Sequence, residues 1–431
     1  MSEKTVLVIF PSIYSLNKIN NLASNIAKIL KLGNQQYSNI RKNGSVIVVE
    51  ATDPVLASST VNMLFGIEKI AIAKEVDNNF DSVLSIITNT ALSLLLKGEK
   101  FHIKVDGKTE KFLAKDLEIA TTAALVDKST PIEAKPGSES NYDRLVYTYL
   151  TDSFAYVCIF VDKGLGGLPY NSQKEKILCC IYDELSAISC LQTIKMGFEV
   201  NILVCYRNES DLLKLAKMIN KILPRLVEKN IILRVCKINR SSSILTTIIT
   251  ITQIMILLAS KEKIERISLG ISPMIFSASF CEYNLNLVFQ NKIIPWFSLS
   301  GIDYGILENA KEIGLEKYIS NLEDLCKIHL SDKKISKSEA SKYANDALKT
   351  LKYIPITVGP KNIHDMPALL PWIITNGLNV LGAIAILLLG VWLAGKSHHI
   401  VVGASSSRRC TTRSKSNSRD GWRDRRSMRA G

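Results

Sequence analysis

Apolar positions along this chain recur in two rhythms that take turns: short period-two or continuous runs, and longer runs at helical spacing. Thr5 to Phe10 and Ser45 to Glu50 predict strands, with a helix from Ser15 to Leu32 between them. Asp53-Pro54 predicts the start of a helix running to Phe65, with proline at an early helical position. Lys69 to Val76 predicts the next strand, and Phe80 to Leu96 a long apolar-periodic helix. A strand (Phe101 to Val105), a helix (Ala114 to Val126) and two strands (Arg144 to Leu150, Phe154 to Val161) follow, with the polar stretch Thr130 to Tyr142 as a loop.

From Ile177 the pattern becomes repeated strand–helix pairs. Strands are predicted at Ile177 to Ile181, Glu199 to Cys205, Ile231 to Lys237, Arg266 to Leu269 and Ile293 to Ser298. This alternation predicts a parallel sheet wrapped on both faces, so the fold class is α/β. Ile244 to Ala259 is almost wholly apolar but short for a membrane span, and predicts a buried helix of this sheet. A polar helix, Ser336 to Leu351, ends the globular part.

Composition changes the picture after Pro360. A body rich in Ile, Asn, Lys and Ser gives way to a segment rich in Leu, Ala and Gly, then to one rich in Arg and Ser. No charge occurs between Asp365 and Lys396, and Pro367 to Ala394 is long enough to cross a bilayer, with Trp372 and Trp392 near its ends. The remaining tail to Gly431 lacks apolar periodicity and is expected to be disordered. Of the formal charge of +14, the tail from Lys396 carries ten basic and two acidic residues. The positive-inside rule would put that tail in the cytoplasm and the body outside. The shift therefore reads as an appended segment, a fusion or a frame change, with a tail anchor as the alternative. The body is mildly basic, a balance that permits a polyanionic partner. The nine cysteines show no zinc-type spacing and no secretory signal precedes them, so a cytoplasmic body with reduced thiols is expected.

Gly390 to Ser397 fits the phosphate-binding pattern G-x4-G-K-S but ends an apolar helix and does not join a strand to a helix, so it is set aside. His398, His399 and Cys410 could hold a metal only loosely, and a floppy tail is the expectation there. The informative chemistry lies at the centre. Asp162-Lys163-Gly164-Leu165-Gly166-Gly167-Leu168-Pro169 reads as a glycine-rich hinge, and the strand after it runs into Ile181-Tyr182-Asp183-Glu184-Leu185-Ser186 at a helix start. A strand-to-helix turn is where a nucleotide-binding protein places its phosphate loop, whose glycines let backbone N–H groups approach the anion. This turn has no glycine and two carboxylates.

These segments resemble those of the tRNA uridine sulfurtransferases that make 4-thiouridine, which join a THUMP RNA-binding domain to an ATP-pyrophosphatase domain. Lys163 to Pro169 matches that family's Lys-Gly-x-Gly-Gly-Leu-Pro hinge, while of its phosphate loop Ser-Gly-Gly-x-Asp-Ser only Ser186 agrees. Leu64-Phe65-Gly66-Ile67, Ser268-Leu269-Gly270 and Leu322-Glu323-Asp324-Leu325-Cys326 are similar to further family segments, in order. The resemblance implies a ferredoxin-like unit over 1–76, a THUMP domain over 77–169 and a degenerate ATP-pyrophosphatase-like domain over 170–352, followed by the apolar helix over 366–395 and the basic tail over 396–431. It implies tRNA as partner, with Lys100, Lys104, Lys108, Lys111, Lys115 and Lys163 as phosphate contacts, and a sulfur-donor protein. Cys326 aligns with a cysteine of sulfur transfer, and Cys205 with one found in some members. The family carries an arginine pair on the helix matching Ile244 to Ala259, where this chain has no basic residue. The expectation is a tRNA-binding relative without ATP chemistry and without a cofactor. Two alternatives stand beside it: an active sulfurtransferase that uses ATP through a divergent loop, and a membrane-anchored scaffold.

Overall fold

The computed structural model describes residues 4–238, 243–300, 304–312, 315 and 337–360. The expectations placed on Cys326, on the apolar segment 366–395 and on the tail 396–431 lie outside the described residues. All described residues belong to one compact unit, Met1–Pro371.

The first sheet takes strands from both expected N-terminal units. In chain order the elements are β1 (Lys4–Pro11), α1 (Ile19–Leu32), β2 (Tyr37–Asn43), β3 (Val46–Ala51), α2 (Pro54–Val61), β4 (Ile67–Asp77), α3 (Phe80–Leu94), β5 (Lys100–Gly107), α4 (Ala114–Lys128), β6 (Lys135–Pro136), β7 (Arg144–Leu150) and β8 (Phe154–Gly166). They form one eight-stranded sheet of order β2-β3-β1-β4-β8-β7-β5-β6. The expected division at 76/77 is bridged by the antiparallel β4–β8 pair, in register from Ile67↔Gly166 to Asp77↔Phe154. The helix expected to run to Phe65 stops at Val61; its start is fixed by Asp53, whose carboxylate accepts from the N–H groups of Val55 and Leu56 at 3.0 Å.

Helices α3 and α4 cover one face, packing Val83, Ile87, Leu117 and Leu125 on Phe101, Ile103, Val105, Val146 and Val157. The opposite face holds a second buried cluster made of strand residues alone, among them Val6, Val8, Phe10, Val48, Ala73, Tyr147, Tyr156 and Cys158. Among the described residues no helical residue packs into this cluster; the sheet curls over it. Residues on the β2–β3 hairpin reach across to β7 and β8: Asn43 donates to the Tyr156 hydroxyl at 2.6 Å, and Ser45 Oγ lies 2.7 Å from Tyr149 Oη. Register shifts in β1, β2, β4 and β8 supply the bends such curvature needs.

The second sheet carries the strand–helix repeat. Its elements are β9 (Lys176–Ile181), α5 (Glu184–Lys195), β10 (Glu199–Tyr206), α6 (Glu209–Ile222), β11 (Asn230–Lys237), α7 (Ile244–Glu262), β12 (Arg266–Ser268), α8 (Ala278–Gln290), β13 (Ile294–Trp296), α9 (Tyr304–Glu312), the helix Lys337–Lys349 and β14 (Lys352–Thr357). The order is β13-β12-β9-β10-β11-β14, parallel except for β14, which runs antiparallel to β11 at the edge. Helix α7 alone among the described residues is long and apolar enough to cross a membrane, but 67% of its most apolar window is buried in the protein. Its threonines return their hydroxyls to carbonyls one turn back, as Thr250 does to Thr246 at 2.8 Å, so they cost little in the core.

Three strands escape the sequence pattern, and the two-residue edge strand β6 falls in the stretch expected to be a loop. β2, Tyr-Ser-Asn-Ile-Arg-Lys-Asn, is an edge strand whose side chains are mostly polar. β14 carries Pro355, tolerated because an edge strand needs only one row of ladder bonds.

Candidate functional site

The hinge closes β8 and is clamped from both sheets. Gly66 donates its N–H to the Gly166 carbonyl at 2.6 Å, and the buried hydroxyls of Ser12 and Ser15 both donate to the Gly167 carbonyl, at 2.6 and 3.1 Å. On the other side Leu168 donates its N–H to the Lys195 carbonyl at the end of α5, at 2.8 Å. The segment Leu64 to Ile67 and the hinge, separate in sequence, thus meet in space.

The loop after β9 lies at the turning point of the second sheet. The chain moves outward through β9, β10 and β11, then returns through α7 to β12 on the far side of β9. Such a reversal leaves a crevice at the carboxyl ends of the two central strands, the usual ligand position in an open parallel sheet. Here the Tyr182 hydroxyl, just after β9, donates to the Gly270 carbonyl, just after β12, at 3.3 Å. Gly270 also sits so close to α5 that a Cβ there would lie 2.8 Å from Ser186 Cβ. The segment Ser268 to Gly270 and the loop are therefore in direct contact across the crevice.

The start of α5 supplies its own anion. Asp183 is the N-cap, and its carboxylate accepts from the Ser186 N–H at 2.8 Å. Ser186 Oγ in turn accepts from the N–H groups of Tyr182 and Asp183, each at 2.9 Å. This reciprocal capping box consumes three of the donors that a phosphate loop would offer. Glu184 is buried and paired with Lys214. Burial pushes the Asp183 carboxyl up to about 6, against the opposing hydrogen bonds from Ser186. A cavity of about 170 Å³ remains beside the loop, lined by Tyr182, Asp183, Cys205, Arg207 and Thr247 among others, which is below the usual size of a small-molecule site.

The Asp183 proton couples stability to pH. The folded protein holds this proton more tightly than the unfolded chain, so the group's contribution to stability is full near pH 4 and is lost as pH rises through about 6. Asn at this position keeps the cap and removes the charge. Asp183→Asn is expected to match the parent near pH 4 and to exceed it by about 2 kcal/mol at pH 8. Urea unfolding at both pH values checks this; a variant weaker than the parent at pH 8 would show that the helix dipole outweighs burial.

Cys205 ends in the core. It is 1% exposed, its Sγ lies 3.4 Å from Cys236 Sγ, and hydrogen bonding with Cys180 together with burial holds its thiol well above the ordinary cysteine value. A thiol so placed is protonated at neutral pH. Among the described residues no group of three or more His, Cys, Asp or Glu is placed to hold a metal. A wider groove of about 920 Å³ lies away from the loop, between α1 and the β11–β14 edge, with Lys28, Lys31 and Lys229 in its lining.

The six lysines divide. In β5, Phe101, Ile103 and Val105 face α3 and α4, so Lys100, His102 and Lys104 face the helix-free side. Lys163 in β8 pairs in register with Lys69 of β4. Lys69 pairs with Phe10, whose ring belongs to the helix-free cluster. Lys163 therefore shares that face. Lys108 and Lys111 lie exposed in the β5–α4 connection, and Lys115 sits on α4, bound to Glu118 at 2.8 Å. Lys69 is the contact candidate that sequence reasoning missed. Its Nζ stands 4.7 Å from the Tyr147 ring centroid and 5.2 Å from that of Phe10. Only the strand registers reveal this, because the three residues are far apart in sequence. At the far edge of the same face the exposed Tyr142 ring stacks on His102, centroids 5.6 Å apart.

No protein-family model matches the chain. A probable tRNA sulfurtransferase of Methanosarcina mazei is 26% identical over 191 residues, 44% of this chain and 46% of that protein. A second, of Methanosarcina acetivorans, is 24% identical over 186 residues, 43% and 45% of the two chains. The chain thus spans about half the length of the curated relatives it matches. Among solved structures, a protein of Pyrococcus horikoshii superposes with a TM-score of 0.57 at 18% identity, covering 72% of this chain and 99% of its own. A 4-thiouridine synthetase, solved in complex with RNA and with bound ATP, superposes with a TM-score of 0.59 at 15% identity, covering 82% and 100%. The mixed α/β fold with its parallel sheet is shared with these structures.

Proposed function

We propose that this chain is a tRNA-binding protein related to the tRNA uridine sulfurtransferases, in which intrachain bonds have taken over the nucleotide crevice. The observation that carries this reading is the start of α5. The Asp183 carboxylate occupies the helix N-terminus, and Tyr182 ties β9 to β12 across the position where a nucleotide would enter. Distant similarity to proteins named as tRNA sulfurtransferases supplies the RNA half of the reading. The lysines on the helix-free face give that half a physical basis, because phosphate contacts supply most of the affinity for nucleic acid.

The test is tRNA binding by the full chain and by residues 1–360, across salt concentrations. Both are expected to bind. The shorter form should show a log–log salt slope of about −2 to −3, the value for three or four neutralised phosphates of a single strand. Binding by the full chain alone would assign the affinity to the basic tail and remove the reading's support.

A further inference from the structure

We propose that RNA is taken on the helix-free face of the eight-stranded sheet, with Lys69 as its fixed phosphate contact and Lys104 and Lys163 beside it; this rests on the tRNA-binding reading above. The face is continuous across four strands. Lys69 on β4 stands directly opposite Lys163 on β8, and Lys104 on β5 stands opposite Tyr147 on β7. From β4 to β5 is three strand intervals, about 14 Å. Three ammonium groups along that span make a track for the phosphates of one strand.

Lys69 differs from an ordinary surface lysine in how it is held. Its ammonium lies against two aromatic rings and donates to the Tyr147 hydroxyl at 3.4 Å. Both rings are buried and fixed: Phe10 is 7% exposed, and Tyr147 4%. The rings restrain the side chain before any ligand arrives, so less conformational entropy remains to be lost on binding. They cannot neutralise the charge. Among the described residues, Lys69, Lys104 and Lys163 form no salt bridge. Lys115 on the opposite side is already engaged by Glu118. Asp106 lies on the same face beside the Tyr147 hydroxyl, but three cations outside any salt bridge, one of them pre-positioned, still make the face complementary to a polyanion.

The same geometry permits a purely structural role, in which the Lys69 stem covers the aromatic cluster. The two roles respond differently to substitution. Lys69→Met keeps an unbranched apolar chain over the rings and removes the charge; Lys69→Arg keeps the cation. The measurement is fluorescence anisotropy of labelled total tRNA on the full chain between about 50 and 200 mM salt, with thermal melting of each variant alongside. Lys69→Met is expected to weaken binding about fivefold or more and to flatten the log–log salt slope by about one, with little change in melting. Lys69→Arg should restore both. Lys97→Met, in the α3–β5 connection and paired with Glu133, should do neither. If Lys69→Met fails to fold, Lys104→Met with Lys163→Met carries the test, with an expected slope change of about two. Unchanged affinity and slope in these variants, or losses confined to Lys108, Lys111 and Lys115 variants, would overturn the face assignment and leave the tRNA reading standing. Absence of tRNA binding by the parent chain would overturn that reading and this inference together.

Discussion

Titration of the full chain with ATP is expected to give no saturable heat, at pH 8 or at pH 6. Micromolar affinity requires about 8 kcal/mol, and a phosphate loop draws much of that from free backbone N–H groups at a helix N-terminus. At this helix the N–H groups of Tyr182, Asp183 and Ser186 are already bonded at 2.8–2.9 Å. A triphosphate would have to displace the Asp183 carboxylate, approach buried Glu184, and separate Tyr182 from the Gly270 carbonyl. Lowering the pH to 6 protonates about half of Asp183 but frees none of the capping donors. The dissociation constant is therefore expected to lie above about 1 mM, equivalent to less than about 4 kcal/mol. Isothermal calorimetry decides the matter. Micromolar binding that vanishes in Ser186→Tyr would restore an ATP-using reading.

Gly167→Ala is expected to cost about 3 kcal/mol of stability and Gly166→Ala about 1, although the two glycines are adjacent and both lie at positive φ. At Gly167, φ is +76° and a Cβ would stand 2.7 Å from the Lys195 carbonyl oxygen. That carbonyl is pinned by the Leu168 N–H, and the Gly167 carbonyl by Ser12 and Ser15, so neither side can yield cheaply. Left-handed strain and overpacking therefore add. At Gly166, φ is +64° but no atom lies within 4 Å of a Cβ, which leaves the backbone cost alone. Urea midpoints of the two variants measure the difference. Equal losses would mean that the contact with α5 contributes nothing, and that the hinge is set by backbone conformation only.

The two expectations differ in how far the sequence could reach. The loop Ile181 to Ser186 declares its chemistry locally: glycine is missing and two carboxylates are present, while the reciprocal cap between Asp183 and Ser186 emerged only from the structure. Missing glycines and added carboxylates are visible residue by residue, so that reading needed no fold. The hinge was visible as a run of glycines, but nothing in the run separates Gly166 from Gly167. The distinction comes from Lys195, which approaches from another element.

The same division holds for the architecture and the candidate RNA face. Alternating apolar periods determined the order of nearly all strands and helices, because each element buries its own face and must write that face into its sequence. β2, β6 and β14 escaped because edge strands need less apolar alternation. The sequence named Lys100, Lys104 and Lys163 with Lys108, Lys111 and Lys115 as one group, and its resemblance to the sulfurtransferases aligned Cys205 with a cysteine found in some members. The tertiary structure separated the lysines onto different sides, added Lys69 between Phe10 and Tyr147, and placed Cys205 in the core beside Cys236. Those outcomes depend on the registers of β1 with β4, β4 with β8 and β5 with β7, which bring together residues up to about 150 positions apart. A register is fixed only when whole strands pair and a one-residue slip would turn every side chain to the other face, so it is a property of the assembled sheet and not of any segment within it.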